Sequence, residues 1–321
     1  MIHILLVIIY LAFISLGLPD SLLGSAWPTM HLEFNVPVSY AGAVSMIIAA
    51  GTVISSLLCD RLTRRLGTGK ITAISVGMTA VALFGFSVSN AYWMLLFWAI
   101  PYGLGAGSVD AALNNYVAMH YASRHMSWLH CFWGIGASLG PAVMGVAITH
   151  GMGWHGGYRI ISIIQIVLTI ILVFNVRLWK EQAAPLKGED KENKPLSLRK
   201  IIDIPAVKSV MICFFSYCAV EQTAGLWAST YLVMRWNISL ELAAMLASLF
   251  YIGITVGRAV SGFATFKYND TQMVFIGLGI MLVGIVMLLL LIIIFAIFFI
   301  LLKFCLKVFY YFVFFVNYIF L

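Results

Sequence analysis

Charged side chains are scarce in this sequence: they make up 10% of its 321 residues, against roughly a quarter in an ordinary globular domain. Hydrophobic residues reach 62%, more apolar surface than a soluble fold of this size can hide. Cysteine is also sparse. Cys59, Cys131, Cys213, Cys218 and Cys305 are odd in number and lie mostly inside apolar runs, which argues against a disulfide framework and against a thiolate metal site. The histidine spacings make no metal motif, and the glycines around Trp154 (Gly151, Gly153, Gly156, Gly157) lack the helix-opening Gly-Lys-Ser/Thr of a phosphate cradle. No cofactor and no metal are expected. What remains is a chain of long apolar runs, each about the 20 residues that cross a bilayer as a helix.

Those runs place spans near residues 4–24, 38–58, 71–89, 92–117, 127–149 and 158–179. The first continues past Leu16 without a small-residue cleavage site, so it reads as a span and not as a removable signal. A polar stretch rich in Lys, Glu, Asp and Pro follows, with a composition that can neither form a core nor enter lipid. Further spans are expected near 206–232, 241–263 and 272–294. The fold class is therefore an all-α polytopic membrane protein. Its parts are a six-helix bundle over 1–179, a cytoplasmic linker over 180–205, helices seven to nine over 206–284, and an atypical apolar tail over 285–321.

Net charge is +7, which in a soluble protein would suggest nucleic acid. Here the bases lie between spans. Arg61, Arg64, Arg65 and Lys70 follow the second span, Arg124 follows the fourth, the linker region from Arg177 to Lys208 holds eight more, and Lys267 follows the eighth. The opposite connections carry only Arg159 and Arg235. The positive-inside rule then puts the amino terminus and the linker in the cytoplasm of a multi-pass protein of the cell membrane. Nucleic-acid binding is set aside.

After the second span, Ser56, Asp60, Arg61, Thr63, Arg64 and Arg65 fall at the spacing of a Gly-x-x-x-Asp-Arg-x-Gly-Arg-Arg loop. This resembles the signature of the major facilitator superfamily, with Ser56 and Thr63 in place of two glycines. An acid beside bases at a helix end can form charge-assisted hydrogen bonds in one conformation only, so Asp60, Arg61, Arg64 and Arg65 are candidates for a conformational latch; a plain positive-inside anchor is the alternative. The resemblance narrows to the fucose permease-like sugar transporters through Gly103, Gly105, Gly107, Asp110, Asn114 and Asn115 in span four. His130, Trp133, Gly134 and Gly136 in span five, Tyr217, Glu221, Gly225, Trp227 and Tyr231 in span seven, and Gly253, Gly257 and Arg258 in span eight extend it. It covers about residues 10–284. It implies two parallel six-helix halves and, for the acid at the position of Asp110, a proton-coupling role.

The residues support a pathway on their own terms. Ionisable groups inside spans usually face a bundle interior or a watery cavity, and the acids within apolar runs are Asp20, Asp110 and Glu221. Asp110 and Asn114 are one turn apart and share a face. No base at comparable depth in the first half would hold Asp110 ionised, and desolvation disfavours a charged carboxylate, which suits a group that takes up and releases a proton. An acid kept neutral by a neighbour such as His130 is the alternative. Asp20 follows Pro19, which loosens the helix ladder, and belongs either to a cavity or to an outer mouth. Gly225 is a candidate break in span seven. Asn114, Asn115, His130, Trp133, Trp227 and Tyr231 form the candidate solute-binding set, since rings stack on sugar faces while amides bond hydroxyls. Trp133 stands where the family pattern has an amide.

The expected function is secondary active transport by alternating access: proton-coupled uptake, with sodium open as the ion, of a sugar or related small polar solute by a monomer in the lipid bilayer. Export of drugs or metabolites against protons by the same fold is the alternative. An enzyme is not expected, because these acids are scattered singly over three spans, without paired carboxylates or a nucleophile at one depth. Residues 285–321 lack Gly, Pro, Ser, Thr, Asp, Glu, Arg, Gln, His and Trp and hold 9 of the 22 phenylalanines. Packed membrane helices favour small residues at their contacts, so an expectation remains that this tail is an out-of-frame product of a frameshifted transporter gene, truncated before the last helices of an incomplete C-terminal bundle.

Overall fold

Each apolar run becomes a helix because a chain in hydrocarbon must satisfy its backbone groups within the segment itself. The computed structural model describes residues 2–182, 198–264, 266–269, 272–284, 286, 287 and 290, and among them there is no strand. The helices are α1 (Ile2–Asp20), α2 (Leu22–Glu33), α3 (Ala41–Leu66), α4 (Thr68–Ser87), α5 (Tyr92–His120), α6 (Ser123–Thr149), α7 (Gly153–Phe174), α8 (Val176–Gln182), α9 (Leu198–Ile202), α10 (Val207–Trp236) and α11 (Leu240–Ala264). Among the described residues seven helical segments are long and apolar enough to cross a membrane by length and composition, with α1 and α2 counting as one of them, Ile4–Glu33; α5 is long enough but less apolar, and it packs against α3 and α4 as the fourth span of a six-span bundle. The linker residues 183–197 and nearly all of the tail 285–321 lie outside the described residues.

The helices outrun the apolar windows at several ends. The first span continues to Glu33 because its far end is held: Trp154 Nε1 donates to Glu33 Oε2 at 2.6 Å, and His155 Nε2 lies 3.2 Å from Oε1. The basic segment expected as a loop after the second span is instead the last turns of α3, which close at Gly67. Gly67 has φ +85°, a region open to glycine and strained for other residues, and so turns the chain straight into α4. The sixth span is shifted toward its start, Gly153–Phe174, and the residues after it fold back as α8.

The chain divides into two units, residues 1–262 and 263–321. In the first, α1 and α2 run through the middle of the six-span bundle. Leu5, Ile9, Phe13, Leu22, Trp27 and Met30 are fully buried against Leu83, Leu95, Leu113 and Leu129 of its neighbours. Helices approach to backbone contact where both sides are small. A Cβ on Gly103 or Gly107 of α5 would collide with the carbonyl oxygens of Ile48 or Thr52 on α3, as expected of a small-residue membrane interface. In the second unit the described residues include the helix Gln272–Gly284. Its start is capped reciprocally, with the Gln272 backbone N–H donating to Asn269 Oδ1 at 2.9 Å and the Asn269 N–H to Gln272 Oε1 at 3.1 Å.

Candidate functional site

Asp20 stands at a break. Pro19 has no N–H and its ring crowds the preceding turn, and the helix stops at Asp20 and restarts at Leu22 after one non-helical residue, Ser21. Beside the break, α1 and α6 touch backbone to backbone. A Cβ on Gly17 would lie 2.0 Å from the Trp133 carbonyl oxygen, and one on Gly136 or Gly140 would strike the carbonyls of Ile14 or Leu18. That crossing brings the indole of Trp133 to the carboxylate. Trp133 Nε1–H donates to Asp20 Oδ2 at 2.8 Å, and the Tyr102 hydroxyl on α5 donates to Oδ1 at 3.1 Å. Asp20 is thus placed among α1, α5 and α6, inside the bundle.

A face of the same indole carries a cation. The guanidinium of Arg258, on α11, lies 4.7 Å from the centroid of the Trp133 ring, within cation–π range. Arg258 Nη2–H donates to Tyr217 Oη at 3.0 Å and stands 3.8 Å from Glu221 Oε2. The Arg258 and Glu221 side chains are only 24% and 13% exposed, so the pair is largely dry. Its charge also reaches Asp110 and His130, and Asp110 and Glu221 in turn act on Asp20. Asp110 accepts from Asn114 Nδ2 at 2.9 Å, one turn along α5. Tyr251, buried on α11, faces Trp133 edge-on at 6.3 Å. Asp20 thus holds Trp133 and Tyr102, Arg258 holds Glu221 and Tyr217, and the Trp133 ring joins the two groups, with Asp110 and Asn114 of α5 within their electrostatic reach.

Several expected residues come together here: Asp20, Asp110, Asn114, His130, Trp133 and Glu221. Others do not. Tyr231 is 57% exposed and Asn115 is exposed, while Trp227 packs against the core cluster around Trp27 and Leu22. Gly225 does not break its helix. α10 is continuous from Val207 to Trp236, and Gly225 instead admits neighbours, its missing Cβ leaving room for the Tyr251 hydroxyl while the Gly225 carbonyl lies against Gly24 of α2. The buried base that sequence reading did not find in the first half is Arg258 of span eight, which pairs with Glu221 and reaches Asp110 only through its field. Its cue was present as a single arginine in an apolar run, and span-by-span reading had no means of pairing it. Tyr102 and Tyr251 were missed because an isolated tyrosine in a span carries no signal.

At the end of α3, Arg64 Nε bonds Asp60 at 3.1 Å within one helical turn, with both side chains more than half exposed. Arg61 and Arg65 are exposed beside them. Among the described residues no group of three or more His, Cys, Asp or Glu side chains could hold a metal ion.

The family model that matches this chain is that of the Major Facilitator Superfamily, over residues 9–321. The chain belongs to the major facilitator superfamily. Its bundle of long apolar helices is that of a multi-pass membrane protein with a transporter fold. One curated relative, Bypass of stop codon protein 6 of Saccharomyces cerevisiae, is 21% identical over 284 residues, which is 81% of this chain and 56% of the yeast protein. The chain thus spans little more than half the length of that relative. Among solved structures, a D-xylose-proton symporter superposes with a TM-score of 0.60 at 12% identity, covering 83% of this chain and 70% of the symporter. Tetrameric PepTSo2 gives 0.44 at 14% identity, over 85% of this chain and 56% of that one. The first likeness is one of fold.

Proposed function

We propose that this member of the superfamily is a secondary active transporter of the fucose permease-like branch, working as a monomer by alternating access and coupling uptake of a sugar or related small polar solute to a proton. One observation carries the reading: Asp20 on the Trp133 indole and Glu221 on Arg258, far apart in sequence, are joined by the stacking of Arg258 on Trp133, with Asp110 in their electrostatic reach, where the six-span bundle faces α10 and α11. Asp110 and Asp20 exchange the proton, Glu221 holds or releases Arg258, and Asn114 and His130 present polar groups to the solute. Tyr251 and Trp133 add ring surface of the kind that packs on a sugar. Trp227, Tyr231 and Asn115 have no part in it in this conformation.

The protein is placed in the cell membrane with its amino terminus and linker in the cytoplasm, where Arg61, Arg64, Arg65 and Lys70 anchor the α3–α4 turn. Asp60 and these arginines act there as a latch, the Asp60–Arg64 pair being the arm at rest. The likeness in fold to a D-xylose-proton symporter supports a small solute and a proton. Purified full-length chain in proteoliposomes tests the reading with a panel of radiolabelled sugars under an imposed proton gradient, a sodium gradient, or neither. Proton-dependent accumulation that Asp110→Asn abolishes is the expected result. Accumulation driven by sodium alone removes the proton, and the absence of gradient-driven uptake for every sugar removes symport.

A further inference from the structure

Pro19 in α1 and Pro141 in α6, the two helices that touch backbone to backbone beside Asp20, each leave one backbone carbonyl without its ladder partner. Pro19 cannot donate to the oxygen of Ser15, four residues back, and Pro141 cannot donate to that of Ala137. In an apolar interior an orphaned carbonyl is costly, so something must answer it. Both are answered by side chains from other helices. Gln165, on α7 and only 1% exposed, donates its Nε2–H to the Ser15 oxygen. Ser21, at the break itself, donates its hydroxyl to the Ala137 oxygen at 2.9 Å.

We propose that Gln165 is a positioning residue for Asp20: its amide replaces the hydrogen bond that Pro19 removes and holds the bend that aims the Asp20 carboxylate at Tyr102 and Trp133. The orientation of the amide is fixed by its surroundings. Nε2 is the only donor of the amide and faces the Ser15 carbonyl, while Oε1 lies 3.3 Å from the Thr79 hydroxyl on α4, whose one proton it shares with the Val76 carbonyl at 2.8 Å. Asp20 comes between the two bonds, one residue after Pro19 and one before Ser21. With Ser15 held by α7 and Ser21 held by α6, the direction of the kink between them has little freedom. Remove the Gln165 bond, and Pro19 leaves the Ser15 carbonyl to find another partner by rotating the turn that carries Asp20.

This rests on the reading of Asp20 as an exchangeable acid, so its test uses a signal that needs no solute. The Trp133 indole donates to Asp20, and a change of charge on that carboxylate alters its emission. The groups facing Asp20 are Tyr102 and Asp110 on α5, Trp133 on α6, Glu221 on α10 and Tyr251 on α11, with Arg258 over the indole. In full-length protein in lipid nanodiscs, the component of tryptophan fluorescence that varies with pH and disappears in Asp20→Asn is recorded for wild type, Gln165→Leu, Pro19→Ala and the double variant. Gln165→Leu is expected to move its midpoint by about one pH unit or more, a tenfold change in proton affinity. Pro19→Ala restores the N–H that answers Ser15, so adding Gln165→Leu to it is expected to move the midpoint no further. Should Gln165→Leu fail to fold, Gln165→Met replaces it, because it keeps the length of the side chain, has no donor for Ser15 and adds no titrating group, and the same shift is expected. An unmoved midpoint with lowered thermal stability makes Gln165 structural only and overturns the proposal. Additive shifts in the double variant, or no Asp20-dependent component in wild type, overturn it as well. Absence of gradient-driven uptake alongside the expected fluorescence behaviour sinks the transport reading and leaves this one standing.

Discussion

The first span of the six-span bundle and the long helix α10 are built on opposite terms. Nearly two thirds of the most apolar window of the first span is buried, and none of that of α10. In the bundle polar groups bond to neighbouring helices: Ser162 donates to the Ala80 carbonyl, Gln165 to Ser15, and Ser56 to Gly107. Along α10 the hydroxyls of Ser216 and Thr223 only fold back onto their own helix. Yet α10 and α11 supply Glu221, Tyr217, Arg258 and Tyr251, nearly half of the charged cluster. The bundle supplies Asp20, Asp110 and Trp133 and the added pair supplies Glu221 and Arg258, so the cluster lies at their seam and not in the best-packed interior.

The comparison breaks hardest at the seam. A Cβ on Gly24 would lie 2.2 Å from the Gly225 carbonyl oxygen, and backbone cannot step aside; one on Gly225 would lie 2.1 Å from the Tyr251 hydroxyl, which can. Gly24→Leu is expected to leave no folded protein by size-exclusion chromatography in detergent. Gly225→Ala is expected to cost about 1–3 kcal/mol and to be rescued by Tyr251→Phe, whereas Gly24→Ala is not rescued. Next comes the ion pair. Arg258→Gln strands Glu221 and is expected to cost about 3 kcal/mol in thermal unfolding, the low end for a buried pair because this one is not fully dry. Arg258→Lys keeps the charge and restores most of that stability, but not the planar contact with Trp133 that tryptophan quenching reads.

Within the packing, Leu83→Ala in the bundle is expected to lose about 2–5 kcal/mol, while Phe215→Ala, 75% exposed on α10, stays within about 0.5 kcal/mol. Equal losses would show that α10 is covered by a partner surface. Smallest is Arg64→Ala, under about 0.5 kcal/mol and vanishing in high salt, since its pair with Asp60 is solvent-facing. A larger stability loss would mean that Asp60 and Arg64 already engage another part of the chain.

The spans were legible because apolar length is a local property, and the six-helix half followed from it. Asp20 and Asp110 were legible as costs, acids where acids are rare. Their meeting was not. A helical wheel tells which residues share a face, but not which helix that face will find, so Arg258 stayed unpaired on paper. Gly225 shows the same limit: a glycine that breaks a helix and one that admits a neighbour look alike in one sequence. Trp227 and Tyr231 carried family resemblance without the geometry, one turned to the core and one outward.

The crossing of α2 on α10 is made where Gly24 meets the Gly225 and Leu226 backbone, while the Leu226 and Trp227 side chains pack against the cluster that holds Leu22 and Trp27. Interdigitated side chains act as teeth, and parting them requires each to change rotamer. A contact of bare backbone has no teeth. Whatever catch this joint has is therefore carried by the few side chains beside the glycines, not by the crossing point itself.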